Sequence, residues 1–323
     1  MALYALSDVG DAFDATRRLL GSASTATWLK LALVTAFIGG TGMSTGSTQY
    51  SAGGTGAEPT TVDIGPRVWA IIAAAVVAAI VVGLLLLVVA SVFEFVFVEC
   101  LRTESVRLRA YWRDHWRRGI RLFGFRVFLG LVGIVGAAIL AAPVIWAFLS
   151  NQPDPGIAAL VFVVLLPLFV LFAVVLGIVN GFTTVFVVPI VMLHDGGIVS
   201  GWRRLWSSIV ANVRQYLAYA VVGFGLTIAA GVLATIATVV LAIALVIPFL
   251  IPFAIAAGLF TVSELAGIAA FVVVAIAFAV CLIAIAALVQ VPIQTFLRYY
   301  ALFVLGDIEP EFDAVPDQRA AVR

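Results

Sequence analysis

Long, uninterrupted apolar runs alternate along the chain with short polar segments. A helix needs about twenty apolar residues to cross roughly 30 Å of hydrocarbon. Six runs meet or approach that length: about Ala26 to Gly42, Val68 to Leu101, Ile120 to Leu149, Ile157 to Leu193, Val213 to Val246 and Leu265 to Phe303. None shows the period-two alternation of a membrane barrel, so the pattern predicts helices. The fold class is all-α, a polytopic transmembrane bundle of about six membrane helices. Several runs exceed the bilayer thickness and must tilt, kink or project beyond it. Pro167 and Pro189 are the expected kink points of the fourth run. The stretch "IPFLIPFAIAAGLF", Ile247 to Phe260, reads as a helix end and turn, with a re-entrant segment as the alternative.

The polar punctuation carries a second pattern. "AYWRDHWRRG" (Ala110 to Gly119) and "SGWRRLWSSI" (Ser200 to Ile209) both contain W-R-x-x-W. Around the first, Leu108, Trp112, Trp116 and Ile120 recur every four residues, flanked by Arg109, Arg113, Arg117 and Arg121. That spacing places an aromatic stripe beside a basic stripe on a helix surface. Such a helix suits the membrane interface, with indoles at headgroup level and guanidinium groups on lipid phosphates. Trp112, Arg113, Trp116, Arg117, Trp202, Arg203, Arg204 and Trp206 are therefore candidate lipid-contacting residues. An ordinary positive loop with aromatic-belt residues explains the same pattern. Near the N-terminus Leu6, Val9, Phe13 and Leu20 form an apolar face, and Asp8, Asp11 and Asp14 load the first turns.

The punctuation also suggests duplication. Val188-Pro189-Ile190 recurs as Val291-Pro292-Ile293, and Phe97-Val98-Glu99 takes the matching place in the second run. One parse has three parallel units, about 7–101, 105–193 and 200–303. Each is an amphipathic cytoplasmic helix followed by a membrane hairpin, opened by Ser7, Ser105 or Ser200 as a helix cap. Together they make a single membrane domain over 1–305. The remaining 306–323, with "GDIEPEFDAVPDQ", is acidic and reads as a disordered cytoplasmic tail.

Composition sharpens the class. The chain is 64% hydrophobic and 11% charged, against about 25% charged in a soluble domain. Its net charge of +1 gives no basis for a nucleic-acid partner. Of the basic residues, only Arg67 lies on the side of the bilayer that carries the loops near Glu58, Asp154 and Glu264. The positive-inside rule then places both termini in the cytoplasm, in a multi-pass protein of the cytoplasmic membrane.

Ionisable groups inside the bilayer are candidate functional groups by default. Glu94 and Glu99, in "VFEFVFVEC", stand out. Glu94 lies about a turn deeper and could carry a proton or face Arg126. If the second helix projects into the cytoplasm, both carboxylates are instead hydrated. Asn180, Gln290 and Gln294 are candidates for interhelical hydrogen bonds. Small residues such as Gly130, Gly133, Gly136 and Gly223 suit close helix packing. His115, His194, Cys100 and Cys281 have no metal-ligand spacing. With no nucleotide-binding loop or nucleophile elbow either, the expectation is a protein without cofactor, metal or catalytic residues, and not an enzyme.

The stretches "ALYALSDVGDAFDATRRLL" (Ala2 to Leu20) and "VMLHDGGIVSGWRRLWSSI" (Val191 to Ile209) resemble haloarchaeal integral membrane proteins of unknown function. More distantly, the chain is similar to the membrane domain attached to some glycerophosphodiester phosphodiesterases, which also alternates amphipathic helices with hairpins. The resemblance implies no catalytic residue. The expected role is an organising, lipid-contacting or accessory membrane component whose partners are the bilayer, anionic headgroups and an unidentified membrane protein. The alternative is a permease-like transporter of a small solute or ion, using Glu94, Asn180 or Gln290.

Overall fold

The computed structural model describes residues 4–42, 66–149, 155–194 and 196–323. The described residues form α1 (Tyr4–Gly21), α2 (Thr25–Gly42), α3 (Pro66–Thr103), α4 (Leu108–Leu149) and α5 (Pro155–Phe182). A π-helical segment (Thr183–Val187) leads into α6 (Val188–His194) and α7 (Ile198–Ala211). The long helices α8 (Val213–Leu259) and α9 (Glu264–Ile308) follow, then a 3₁₀ turn (Pro310–Phe312) and α10 (Pro316–Ala320). There is no strand among the described residues. Among the described residues five helices are long and apolar enough to cross a membrane, and the chain is a multi-pass, all-α membrane protein.

The expected first span coincides with α2, which at 18 residues is much shorter than the other five. Ser24 caps it, its hydroxyl accepting from the Thr27 amide at 3.3 Å. Leu31, Val34 and Ile38 bury against α3 and α9. The 38 residues of α3 extend for roughly 57 Å at the helical rise. Its last turns pack beside α1, so its first residue lies far from that end.

The core sits at one end of the molecule. In α3, Val68 to Leu86 are exposed, whereas Ala90 to Val98 are buried on every side. The start of α4, the π segment, α6, α7, the start of α8 and the end of α9 contribute the rest of this packed end. Beyond it, α4 pairs with α5 and α8 with α9, and their outer faces carry exposed Val, Ile, Leu and Phe. Apolar side chains left outside a packed core are the faces a bilayer covers.

Several expectations change. The segment 306–323 is folded, not disordered. Phe312, Ala314 and Val315 are buried, Arg319 pairs with Asp307 and Asp313, and Gln318 donates to the Arg102 carbonyl at 2.6 Å. Its acidity is matched by arginines that lie nearby only once α9 is formed. In α1 the inward face is Ala5, Asp8, Ala12, Ala15 and Leu19, while Leu6 and Phe13 are exposed. Small residues let α1 lie close to α9, where the Tyr300 hydroxyl donates to the Ala5 carbonyl at 3.0 Å. The stretch 247–260 is a helix end and turn, not a re-entrant segment, but the helix ends later than Val246: α8 runs through Pro248 and Pro252 to Leu259, and a turn opens at Phe260.

The two W-R-x-x-W phrases also differ in structure. The first forms the opening turns of α4, continuous with the span. The second is the separate helix α7, which ends where Asn212 leaves helical geometry. Ser7 and Ser200 do not cap their helices; each lies inside the first turn and donates to a backbone carbonyl, of Tyr4 and Gly197. Ser105 lies ahead of α4 and bonds the Tyr111 hydroxyl at 2.8 Å.

Candidate functional site

The deepest polar feature is a charge cluster where the spans enter the packed end. Glu94 of α3 is fully buried. One oxygen accepts from Arg126 of α4 at 3.0 Å, and the other accepts from Arg298 of α9. Arg126 also donates to the Thr184 hydroxyl at 3.0 Å, and Arg298 to the Thr184 carbonyl at 2.6 Å. Ser91 lies 3.5 Å from Arg126. The Phe97 ring lies 5.9 Å beneath the Arg298 guanidinium, a favourable cation–π distance.

Local sequence explains why Thr184 can serve both arginines. Thr183 and Thr184 return their hydroxyls to the Val179 and Asn180 carbonyls at 2.6 and 3.0 Å. Back-bonding of this kind perturbs helices, and here the backbone widens into a π segment, whose altered register frees carbonyls. Three segments that lead the chain back to the packed end thus meet: α3 brings the acid, the π segment a hydroxyl and a carbonyl, and α9 a base.

This cluster forms one end of a cavity of about 660 Å³. Its walls come from α5 (Val174, Gly177, Ile178, Gly181) and α8 (Tyr219, Gly223, Phe224, Thr227), with Ile38 of α2 and Gln294 of α9. Glu94, Thr184 and Arg298 line the polar end. The opposite flank is open: Val174, Ile178, Val221 and Phe224 are all exposed. A mostly apolar cavity with a few convergent polar groups is the usual form of a ligand site.

The expected site residues separate accordingly. Glu94 is neither hydrated nor single: the helix does project from the span, but into protein instead of water, because other helix ends surround it. Glu99 stays at the rim, 3.8 Å from Arg102. Gln290 accepts from Gln294 at 3.4 Å within α9, and only Gln294 reaches the cavity. Asn180 supplies its backbone carbonyl to Thr184.

Of the aromatic-basic set, Arg113, Arg117, Arg203 and Arg204 are exposed and Trp116 and Trp206 partly or largely so. Trp112 and Trp202 turn inward instead. Trp112 packs edge-on against Phe93 at 5.2 Å, and the Trp202 indole donates to the Thr183 hydroxyl at 2.9 Å. His115 and His194 return their Nδ1 atoms to backbone carbonyls of their own helices, and no group of three metal-ligating side chains occurs among the described residues.

Sequence reasoning missed Arg298 and Thr184. The signal for Arg298 was an arginine with apolar residues on both sides, in "FLRYYALFVLG". A loop arginine would have polar neighbours.

A family of unknown function, DUF7544, has a model that matches residues 3–315. The chain belongs to this family. The match runs from α1 to the folded C-terminal segment, so the charge cluster and the cavity both lie within the DUF7544 region. No curated protein and no solved structure matches the chain.

Proposed function

We propose that this DUF7544 protein is a non-catalytic component of the cytoplasmic membrane that works by holding lipid. The single observation that carries the reading is the cavity between α5 and α8, apolar along its walls, polar at one end and open on its flank. The exposed arginines of α4 and α7 lie at the packed end and would face anionic headgroups of the same leaflet. Each contributes roughly 1 kcal/mol near such a surface at low ionic strength. In this arrangement the packed end and both termini are cytoplasmic, in accord with the arginine distribution. The resemblance to haloarchaeal membrane proteins and to the phosphodiesterase membrane domain fits an accessory role of this kind.

Filling the cavity tests the reading. A Cβ at Gly181 would meet nothing within 4 Å, so Gly181→Leu adds bulk to the cavity without a backbone clash. Protein purified in mild detergent should carry fewer co-purified lipids than wild type, with unchanged thermal stability. Equal lipid content would sink the proposal.

Solute transport is the rival reading, favoured by the presence of Gln294 beside Arg298 in the same cavity. It predicts flux in reconstituted vesicles that Glu94→Gln alters.

A further inference from the structure

We propose that the occupant of the cavity is a phospholipid with a single anionic headgroup, of the phosphatidylglycerol type. Its phosphodiester sits against Arg298 and the Thr184 turn, and an acyl chain lies between α5 and α8. This deepens the lipid-holding reading and rests on it.

The first argument is a charge count. Arg126 and Arg298 carry guanidinium groups that stay protonated in proteins. Among the described residues, Glu94 is the one carboxylate bonded to them. The cluster is therefore positive by one unit with Glu94 ionised and by two with it protonated. Buried charge without a counter-charge is costly. The neighbouring acids are engaged elsewhere: Glu99 lies beside Arg102, and Asp8, Asp307 and Asp313 pair with Arg319 or Arg323. Arg126 itself does not line the cavity, so it acts on an occupant through its charge, whereas Arg298 lines the polar end directly. The arrangement calls for a monoanion.

The second argument is shape. The polar groups occupy one end of the cavity and the apolar walls the rest, which fits an amphiphile better than a free anion. Guanidinium groups match phosphate oxygens in geometry as well as charge. The third argument is depth. In α3 the lipid-facing surface ends near Leu86 and burial begins at Ala90. Glu94 thus lies close to the level where the adjacent leaflet has its headgroups. A lipid entering from the open flank keeps its headgroup at that level.

The test uses the full chain in detergent, offered equal amounts of phosphatidylglycerol and phosphatidylcholine with identical acyl chains and read by native mass spectrometry. Wild type should retain phosphatidylglycerol about tenfold more than phosphatidylcholine, a difference typical of one charge-assisted contact. Arg298→Gln and Arg126→Gln each bring the cluster to zero charge from a different helix. Both should reduce the preference towards parity while total bound lipid stays the same. Glu94→Gln raises the charge and should keep or increase the preference, whereas a purely structural role predicts loss of folded protein. Gly181→Leu should lower both lipids together, so it reports on the cavity and not on the headgroup.

Equal retention of the two lipids by wild type would overturn the proposal, as would a preference untouched by both arginine variants. Displacement of phosphatidylglycerol by millimolar inorganic phosphate would assign the site to a free anion. Loss of the preference on Arg113→Gln with Arg117→Gln would assign it to the exposed stripe.

Discussion

Asp8 shows how much a single residue's meaning depends on its surroundings. In the sequence it is one of three acids loading the start of a helix. In the fold its side chain is buried, with Arg323 at 3.1 Å and Oδ2 left without a partner. Burial first, and then the nearby Asp307 carboxylate, push its pKa up to about 6 from an ordinary 3.8. The folded state thus binds a proton more readily than the unfolded chain between those values. Stability contributed by this group rises as the pH falls from about 7 towards 4, because stability falls with pH wherever the folded state holds more protons. Asp8→Asn should melt at or above the wild-type temperature at pH 7.5, and that advantage should vanish near pH 4.5. A difference that stays constant across this range, measured by thermal unfolding in detergent, would contradict the assignment. Arg323, held by Asp307, Asp11 and Asp8, is also pushed up, further above its already high value.

At the scale of elements, close helix approach is set by particular glycines. Gly119 closes the phrase "AYWRDHWRRG", and a Cβ there would lie 2.8 Å from the Val92 backbone and 2.4 Å from its side chain. This is where α4 crosses the buried part of α3. Gly136 does the same between α4 and α5, where a Cβ would lie 2.2 Å from the Phe172 ring. Gly130, from the same expected packing stripe, faces open space. Gly119→Val should therefore lower the melting temperature by an overpacking cost of about 1–3 kcal/mol, and Gly130→Ala should leave it nearly unchanged. Similar effects from both would show that α3 and α4 do not meet as described. The first W-R-x-x-W phrase is thus part helix-packing surface and part interface. Trp112, His115 and Gly119 face inward, and Arg113 and Arg117 face out. Periodicity gave the stripes correctly but not which stripe a neighbouring helix would cover.

At the scale of the whole molecule, the packed end ties distant parts of the chain together. Arg323 bridges α1 and α9 through Asp11 and Asp307, Arg18 donates to the Ala321 carbonyl, and Gln318 reaches the end of α3. Removing 309–323 should strip these links and leave Asp8 and Asp307 facing each other without their cation. The truncated protein should unfold at a clearly lower temperature in detergent. An unchanged melting temperature would mean that the segment is not part of the core. The all-α membrane architecture was legible in the sequence because the length and polarity of an apolar run are local properties. A run longer than the bilayer is thick has to be a membrane helix whatever surrounds it, and α3, α5, α8 and α9 appear where those runs lie. The order of 306–323 was not legible, because its acidity looks like a disordered tail until Arg319 and Arg323 meet Asp307, Asp8 and Asp11.

The same boundary runs through the candidate site. The sequence by itself determined that Glu94 lies in an apolar helix and that such a carboxylate needs a cation or a proton, since desolvation allows nothing else. It also offered Arg126 as one partner, near enough in the neighbouring span to be named. Only the tertiary structure brought in Arg298, 204 residues beyond Glu94, together with the π segment that turns Thr184 towards both arginines. Charge compensation is a pairwise property of positions in space, and the cavity beside it is a property of the gap between two helices. Neither is written in the periodicity of any one of them.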